Sequence, residues 1–403
     1  MGKTRTLVAG AVMMMLVGLI YAWSIFRAPL AGAYPAWSTA QMSLAFTISM
    51  CCWCVGGLTS GKLLSRLANG HVCLIAAALL FAGFLLLSFL PPGDPGGSLV
   101  RLYVFYGVFC GLGVGLVYNS TMAAVLSWFP GKTGTMSGIL LMCYGFGGLV
   151  FGSVVSALVA SGGLARTFFV LAIGVGAIVA VGALVIRRAP TAAPSGSPAD
   201  GVEARRQMQP SGILRTATFW LFFGNVVALA SAGLLVINSA AVVASDFGAP
   251  AILGLLTTVA GGAGRVAAGL LFDIIGRKAT MTVIGAVMVG GGGVLLLGAS
   301  AASSPLIIAG LILVGISFGG SSPLTSSCVN HFFGAKHYAA NYSTMTLSII
   351  PASVLGPAAS SALYESGGEA WGGVFALIAI LGAVDLALVL AINRSARREA
   401  LEA

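Results

Sequence analysis

Residues 261–278 read GGAGRVAAGLLFDIIGRK. A glycine- and alanine-rich apolar run carries one arginine, Arg265, and stops at Asp273, Gly276, Arg277 and Lys278. Extended back to residue 250, the run is long enough to cross a bilayer, which takes about 20 residues. It therefore reads as a membrane helix that ends in a charged, water-facing loop and keeps one cation inside its apolar part. Arg265 lies eight residues before Asp273, about 12 Å inside the helix end at about 1.5 Å per residue.

The rest of the chain repeats this pattern. Of 403 residues, 58% are apolar and only 7% charged, against about 25% charged in a soluble domain. That is too little charge to coat a water-exposed surface of this size. Twelve spans are expected, at 7–29, 39–61, 72–90, 99–127, 134–160, 165–186, 216–244, 250–272, 279–299, 304–327, 339–362 and 371–393. Most of the 57 glycines lie within these blocks, as suits helices packed closely in lipid. The longest polar stretch, 187–214, contains RRAPTAAPSGSPADGVEARRQMQPSG and reads as a flexible linker. It divides the chain into six-span halves, 1–186 and 215–403. The run from Leu7 to Phe26 is longer than a signal-peptide core and is expected to stay as the first span.

The net charge of +10 raises the question of nucleic acid, and the positions answer it. The basic residues sit in short loops between apolar blocks. With both termini cytoplasmic, only Arg27, Arg101 and Arg166 of the 20 fall on the far side, Arg265 belonging to no loop. The positive-inside rule then sets a multi-pass protein of the inner (plasma) membrane with cytoplasmic ends. The lipid bilayer is the expected partner and nucleic acid is not. The seven cysteines lie in apolar blocks. Cys51-x-x-Cys54 has no second pair, His or Asp nearby, so no metal or cofactor is expected.

The two halves echo each other. Span 8 runs into Gly269-Leu-Leu-Phe-Asp273-Ile-Ile-Gly276-Arg277-Lys278, and span 2 into Gly61-Lys-Leu-Leu-Ser65-Arg66-Leu. Both resemble the signature loop of the major facilitator superfamily, G-x-L-x-D-x-x-G-R-K/R, with Ser65 in place of Asp in the first copy. The resemblance implies an all-α membrane protein of the major facilitator fold, with two six-helix halves about a central cavity. An Asp at a helix end can latch a neighbouring helix terminus and release it, so Asp273 and Arg277 are candidate gating residues.

An arginine at the depth of Arg265 costs at least about 2.5–3.5 kcal/mol to insert. It should face a polar cavity and seek an anion, and Gly261, Gly262, Ala268 and Gly269 leave space around it. The intramembrane acids, Asp385 in span 12 and Asp246 near the end of span 7, are poorly placed to pair with it. A carboxylate matches the guanidinium fork. Tyr118 and Asn119 in span 4, Tyr144 in span 5 and Tyr21 in span 1 offer neutral polar groups. Gly111, Gly115 and Asn119 form a small-residue stripe ending in an amide.

Four segments are similar to the oxalate/formate antiporter family, a relative of the monocarboxylate transporters: Tyr21-Ala-Trp-Ser-Ile-Phe, Gly-Leu-Val-Tyr118-Asn119, Trp128-Phe129-Pro130-Gly131-Lys132-x-Gly134 and Phe333-Gly334-Ala-Lys336-x-x-x-x-Asn341-Tyr342. The resemblance places Arg265 at the family's carboxylate-binding arginine and Tyr21, Tyr118 and Tyr144 in its aromatic pocket. Where oxalate carriers have a span 11 lysine this chain has Ser348, and their span 10 aromatics fall near Ser317 and Ser321. A cavity with one fixed cation suits a monoanion, since a dianion leaves buried negative charge. Arg265, Tyr21, Tyr118, Asn119, Tyr144, Ser321 and Ser348 are thus the expected ligands of a monocarboxylate of formate, lactate or pyruvate type. Exchange or proton symport would each spare the arginine an empty return. The alternatives are an oxalate or dicarboxylate antiporter and an exporter of drugs or nucleosides. An enzyme is excluded for want of a nucleophile–base pair, metal set or cofactor loop. A monomer is expected.

Overall fold

A computed structural model describes residues 2–91, 93–190, 207–237, 239–250, 253–254, 256–366 and 371–401. Most of the expected linker, 191–206, lies outside them. All regular structure among the described residues is helical. Among the described residues, nine stretches are long and apolar enough to cross a membrane. Two of these double back at a glycine. Thr133–Val185 turns at Gly163 (φ 70°), and Leu256–Ser300 turns at Gly276 (φ 79°). Positive φ is strained for residues with a Cβ, so these glycines join spans 5 to 6 and 8 to 9. The remaining span, 11, is broken into Tyr338–Thr346 and Ile349–Ser366. Pro351 cannot donate to the carbonyl of Leu347, so it fits only in the first turn of the second piece. The described helices thus make twelve passes.

Local signals fix several helix ends. Span 2 starts with a capping box: Ser38 Oγ accepts from the Gln41 N–H at 3.1 Å, and Gln41 Oε1 accepts from the Ser38 N–H at 2.8 Å. Val181 and Leu184 of span 6 are 63% and 68% exposed, an arrangement that lipid accepts and water does not.

The chain divides into two compact units. The first comprises Met1–Pro130, Cys143–Ala193 and Tyr338–Thr344; the second comprises Gly131–Met142, Pro194–His337 and Met345–Ala403. The opening turns of span 5 thus belong to the second unit, and those of span 11 to the first. In the first unit span 4 is central, packed on spans 1, 2 and 3. In the second, spans 8 and 9 pack on 10 and 12, and span 7 packs on 10, 11 and 12.

Candidate functional site

In the second unit, Arg265 is half-buried on a helix held by glycines on two sides. Toward span 10, a Cβ at Gly264 would collide with Ile316 O, and one at Gly319 with Gly261 O. Toward the start of span 5, a Cβ at Gly138 would lie 2.5 Å from Arg265 O, and one at Gly269 would strike Gly134 O. Only glycine permits backbones this close. The main chain that carries the guanidinium is therefore clamped between two neighbours.

Span 10 runs along the same packing seam. Gly320, beside Ser321, faces Ala268, one turn from Arg265. Ser321 Oγ donates to Phe318 O at 2.6 Å, and Ser348 Oγ to Met345 O at 2.7 Å. The Ser321 hydroxyl thus bonds its own helix and that of Ser348, in the break of span 11, bonds the piece before it, and both keep oxygen lone pairs to offer. Ser317 Oγ donates instead across to Ile284 O at 2.8 Å. Thr257, two turns before Arg265, is fully buried, and its hydroxyl has no hydrogen-bond partner among the described residues.

Asp273 closes the seam. Its carboxylate accepts from the N–H groups of Gly134 (3.0 Å) and Thr135 (2.7 Å) and from the Thr135 hydroxyl (2.6 Å). An anion is thereby set on the first turn of the helix that begins at Thr133, where free N–H groups and the helix dipole favour it. Arg277 is turned elsewhere: it donates to Asn393 Oδ1 at 2.8 Å and lies 4.6 Å over the Phe332 ring. The two gating candidates therefore hold different neighbours.

In the first unit, Tyr118 and Tyr144 come together edge to face, with ring centroids 5.0 Å apart. Trp53 packs 5.2 Å from Tyr118, and the Tyr118 and Tyr342 hydroxyls share a 2.8 Å hydrogen bond. Tyr338 stacks on Tyr342 at 5.4 Å. Tyr144 is anchored where spans 1 and 5 cross, because a Cβ at Gly18 would strike its carbonyl oxygen. Span 1 tightens into a 3₁₀ segment at that crossing, Gly18–Ala22. Tyr21 lies in it, and its side chain is outside the described residues.

The stripe that ends at Asn119 is a packing seam. Gly111 and Gly115 abut Ser49 O and Trp53 O of span 2, and Asn119 continues the register by donating to Gly57 O at 3.0 Å. Its amide nitrogen also reaches Ala339 O (2.7 Å) and Ser343 Oγ (2.6 Å). Asn119 is 1% exposed and ties span 4 to the start of span 11; its Oδ1 has no hydrogen-bond partner among the described residues.

Trp53 and Tyr338 are residues that sequence reasoning passed over. The signal for Trp53 was its place: mid-span rather than at a span end, where membrane-belt tryptophans sit. Its buried Nε1 donor has no partner among the described residues, although a buried indole N–H usually has one. A small void in this unit is lined by Leu16, Ile20, Phe84, Tyr106 and Val175. That lining is too apolar to hold a carboxylate. No cluster of metal-ligating side chains occurs among the described residues.

Known proteins show the family to which the fold belongs. The chain is 26% identical over 385 residues to the oxalate:formate antiporter of Oxalobacter formigenes, covering 93% of this chain and 88% of that one. It is 26% identical over 352 residues to the uncharacterised MFS-type transporter YhjX of Escherichia coli (strain K12), covering 86% and 85%. Among solved structures, the proton:xylose symporter XylE superposes with a TM-score of 0.69 at 14% identity, covering 96% of each chain. The family description Major Facilitator Superfamily matches residues 6–348 and 221–402. The chain belongs to the Major Facilitator Superfamily, and it is a multi-pass membrane transporter of that fold rather than an enzyme.

Proposed function

We propose that this transporter carries a small monocarboxylate, of formate, lactate or pyruvate type, by alternating access, with Arg265 holding the carboxylate. The observation behind the reading is where Arg265 sits: half-buried in a membrane-length helix, on main chain clamped by glycines. A planar guanidinium binds a carboxylate through two parallel hydrogen bonds. One bound negative charge cancels one fixed positive charge, and a second would have to be buried without compensation.

The neutral residues orient rather than charge the substrate. Ser321 and Ser348 keep acceptor capacity, and Tyr21, Tyr118 and Tyr144 bring phenol groups. The amide nitrogen of Asn119 is committed to holding span 11, so its part is to keep the start of that helix in place. The basic loops put both termini on the cytoplasmic side, and the Asp273 cap then closes that side and opens during the cycle. The relative that exchanges oxalate and formate supports an organic-anion cargo, and formate is the member of that pair with one charge.

The test is counterflow in proteoliposomes with labelled formate, lactate, pyruvate and oxalate. Wild type is expected to exchange at least one monoanion faster than oxalate. Arg265→Ala should abolish exchange, and Arg265→Lys should leave a small residue, since a point charge replaces the fork. Preference for oxalate over every monoanion tested would overturn the choice of cargo. Normal exchange by Arg265→Ala would overturn the site.

A further inference from the structure

Asp385, in the middle of helix Gly372–Leu401, is completely buried. Asn225, on helix Ala217–Ile237, is 1% exposed, and its amide nitrogen donates to Asp385 Oδ1. The two remaining oxygens of the pair, Asn225 Oδ1 and Asp385 Oδ2, are buried and have no hydrogen-bond partner among the described residues. An ionised carboxylate can only accept, and an amide oxygen can only accept. With Asp385 ionised, the interior would hold a charge with one donor and two open acceptors.

The surrounding helices do not neutralise it. Helix Ala217–Ile237 has no titratable side chain, and neither does the 279–300 segment packed on the other side. Ile349–Ser366 carries Tyr364 and Glu365 in its last turn. Arg394, on the same helix as Asp385, is nine residues on, about 13 Å at 1.5 Å per residue. Arg277, ahead of the 279–300 segment, is turned to Asn393 and Phe332. A Cβ at Gly285 would collide with Asp385 Oδ2, so span 9 leaves room for this oxygen and no more.

A proton on Oδ2 removes the buried charge and turns one of the two open acceptors into a donor. The amide oxygen of Asn225, the other open acceptor of the pair, is a group that such a donor can serve. We propose that Asp385, held by Asn225, is a proton-binding site, and that its proton crosses with the carried anion. The co-transport half rests on the anion-transport reading above; the proton site does not. Helix movements of the cycle open the pair to water, the proton leaves, and Asn225 continues to donate to the carboxylate.

Infrared spectroscopy of the purified protein in lipid reads the site directly. Wild type should show the carbonyl stretch of a protonated carboxylic acid at neutral pH. The band should be lost in alkali and be missing from Asp385→Asn. Its absence from wild type overturns the site. In proteoliposomes with an acid-outside gradient, one-to-one symport accumulates labelled formate or lactate about tenfold per pH unit. Asp385→Asn should lose that accumulation and give a flat pH profile. Undiminished gradient-driven accumulation by this variant overturns the coupling. Should it not fold, Asn225→Ala keeps the acid and removes its partner. That change should move the pH midpoint of both the band and the uptake, and an unmoved midpoint counts against the pair. If wild type carries neither acid while the band persists, the cargo reading fails and the proton site stands.

Discussion

The end of span 2 and the end of span 8 are two copies of one device, closed by different chemistry. In each, two glycine-level contacts are followed by a polar residue one turn later. Gly61 sits against Ala340 as Gly269 sits against Gly134, and Gly57 faces Ser343 where Arg265 faces Gly138. The next position is Ser65 in one copy and Asp273 in the other. Asp273 caps the neighbouring helix with an anion. Ser65 spends its hydroxyl on Lys62 O of its own chain, at 2.7 Å. There, helix Tyr338–Thr346 starts without a side-chain cap, and Asn119 holds it at Ala339 O and Ser343 Oγ. The lesson is that close backbone approach is common to both halves, while an acid at the helix end and a cation at the helix centre occur in one.

The largest break in this comparison comes from making the charged copy neutral at its centre. Arg265→Ala gives span 8 a small residue where span 2 has Gly57. It should cost about 2–5 kcal/mol of substrate binding, as loss of one partner of a desolvated charge pair does, or at least about thirtyfold in affinity. Equilibrium binding of labelled formate or lactate measures it. Second in size is Asn119→Ala. It removes the donors to Gly57 O, Ala339 O and Ser343 Oγ and should lower stability by about 1–3 kcal/mol. Unfolding in detergent is the readout, and an unchanged midpoint would show that glycine packing alone holds the neutral copy.

These outcomes bear on what the chain makes legible. The spans, the two halves and the signature loops are visible because bilayer thickness imposes a length and charge marks each end. Arg265 and Asp273 stand out because a charge in or beside an apolar run needs a reason. Packing partners far apart in sequence leave no such mark. The stripe Gly111, Gly115, Asn119 reads equally as a cavity wall or a helix seam, and only the carbonyls of Ser49, Trp53 and Gly57 decide for the seam. Arg277 follows Asp273 closely in the chain but bonds Asn393, 116 residues on. Trp53 hides among apolar neighbours until its indole N–H is seen to lack a partner.

Asp273→Asn sharpens the comparison from the charged side. The amide keeps one acceptor but loses the charge and turns an NH₂ toward the N–H groups of Gly134 and Thr135. Loss of a cap of this kind costs about 0.5–2 kcal/mol. The fall in unfolding midpoint should be smaller than for Asn119→Ala, which would rank the amide tie above the ionic cap.

The smallest effect is the most diagnostic, because it adds what one copy lacks. Ser65→Asp restores the signature's acid in the first unit, opposite the uncapped start of Tyr338–Thr346. A carboxylate at a helix N-terminus is worth about 0.3–1 kcal/mol at an exposed site, and the Ser65 hydroxyl bond given up is a local one to Lys62 O. The variant should therefore gain stability by up to about 1 kcal/mol, and it should gain less in high salt, which screens an exposed charge. A helix cap formed this way also strengthens closure of the neutral copy, so exchange should slow as stability rises. Stabilisation without slower exchange would mean that the start of span 11 stays in place through the cycle, and that the charged copy alone opens.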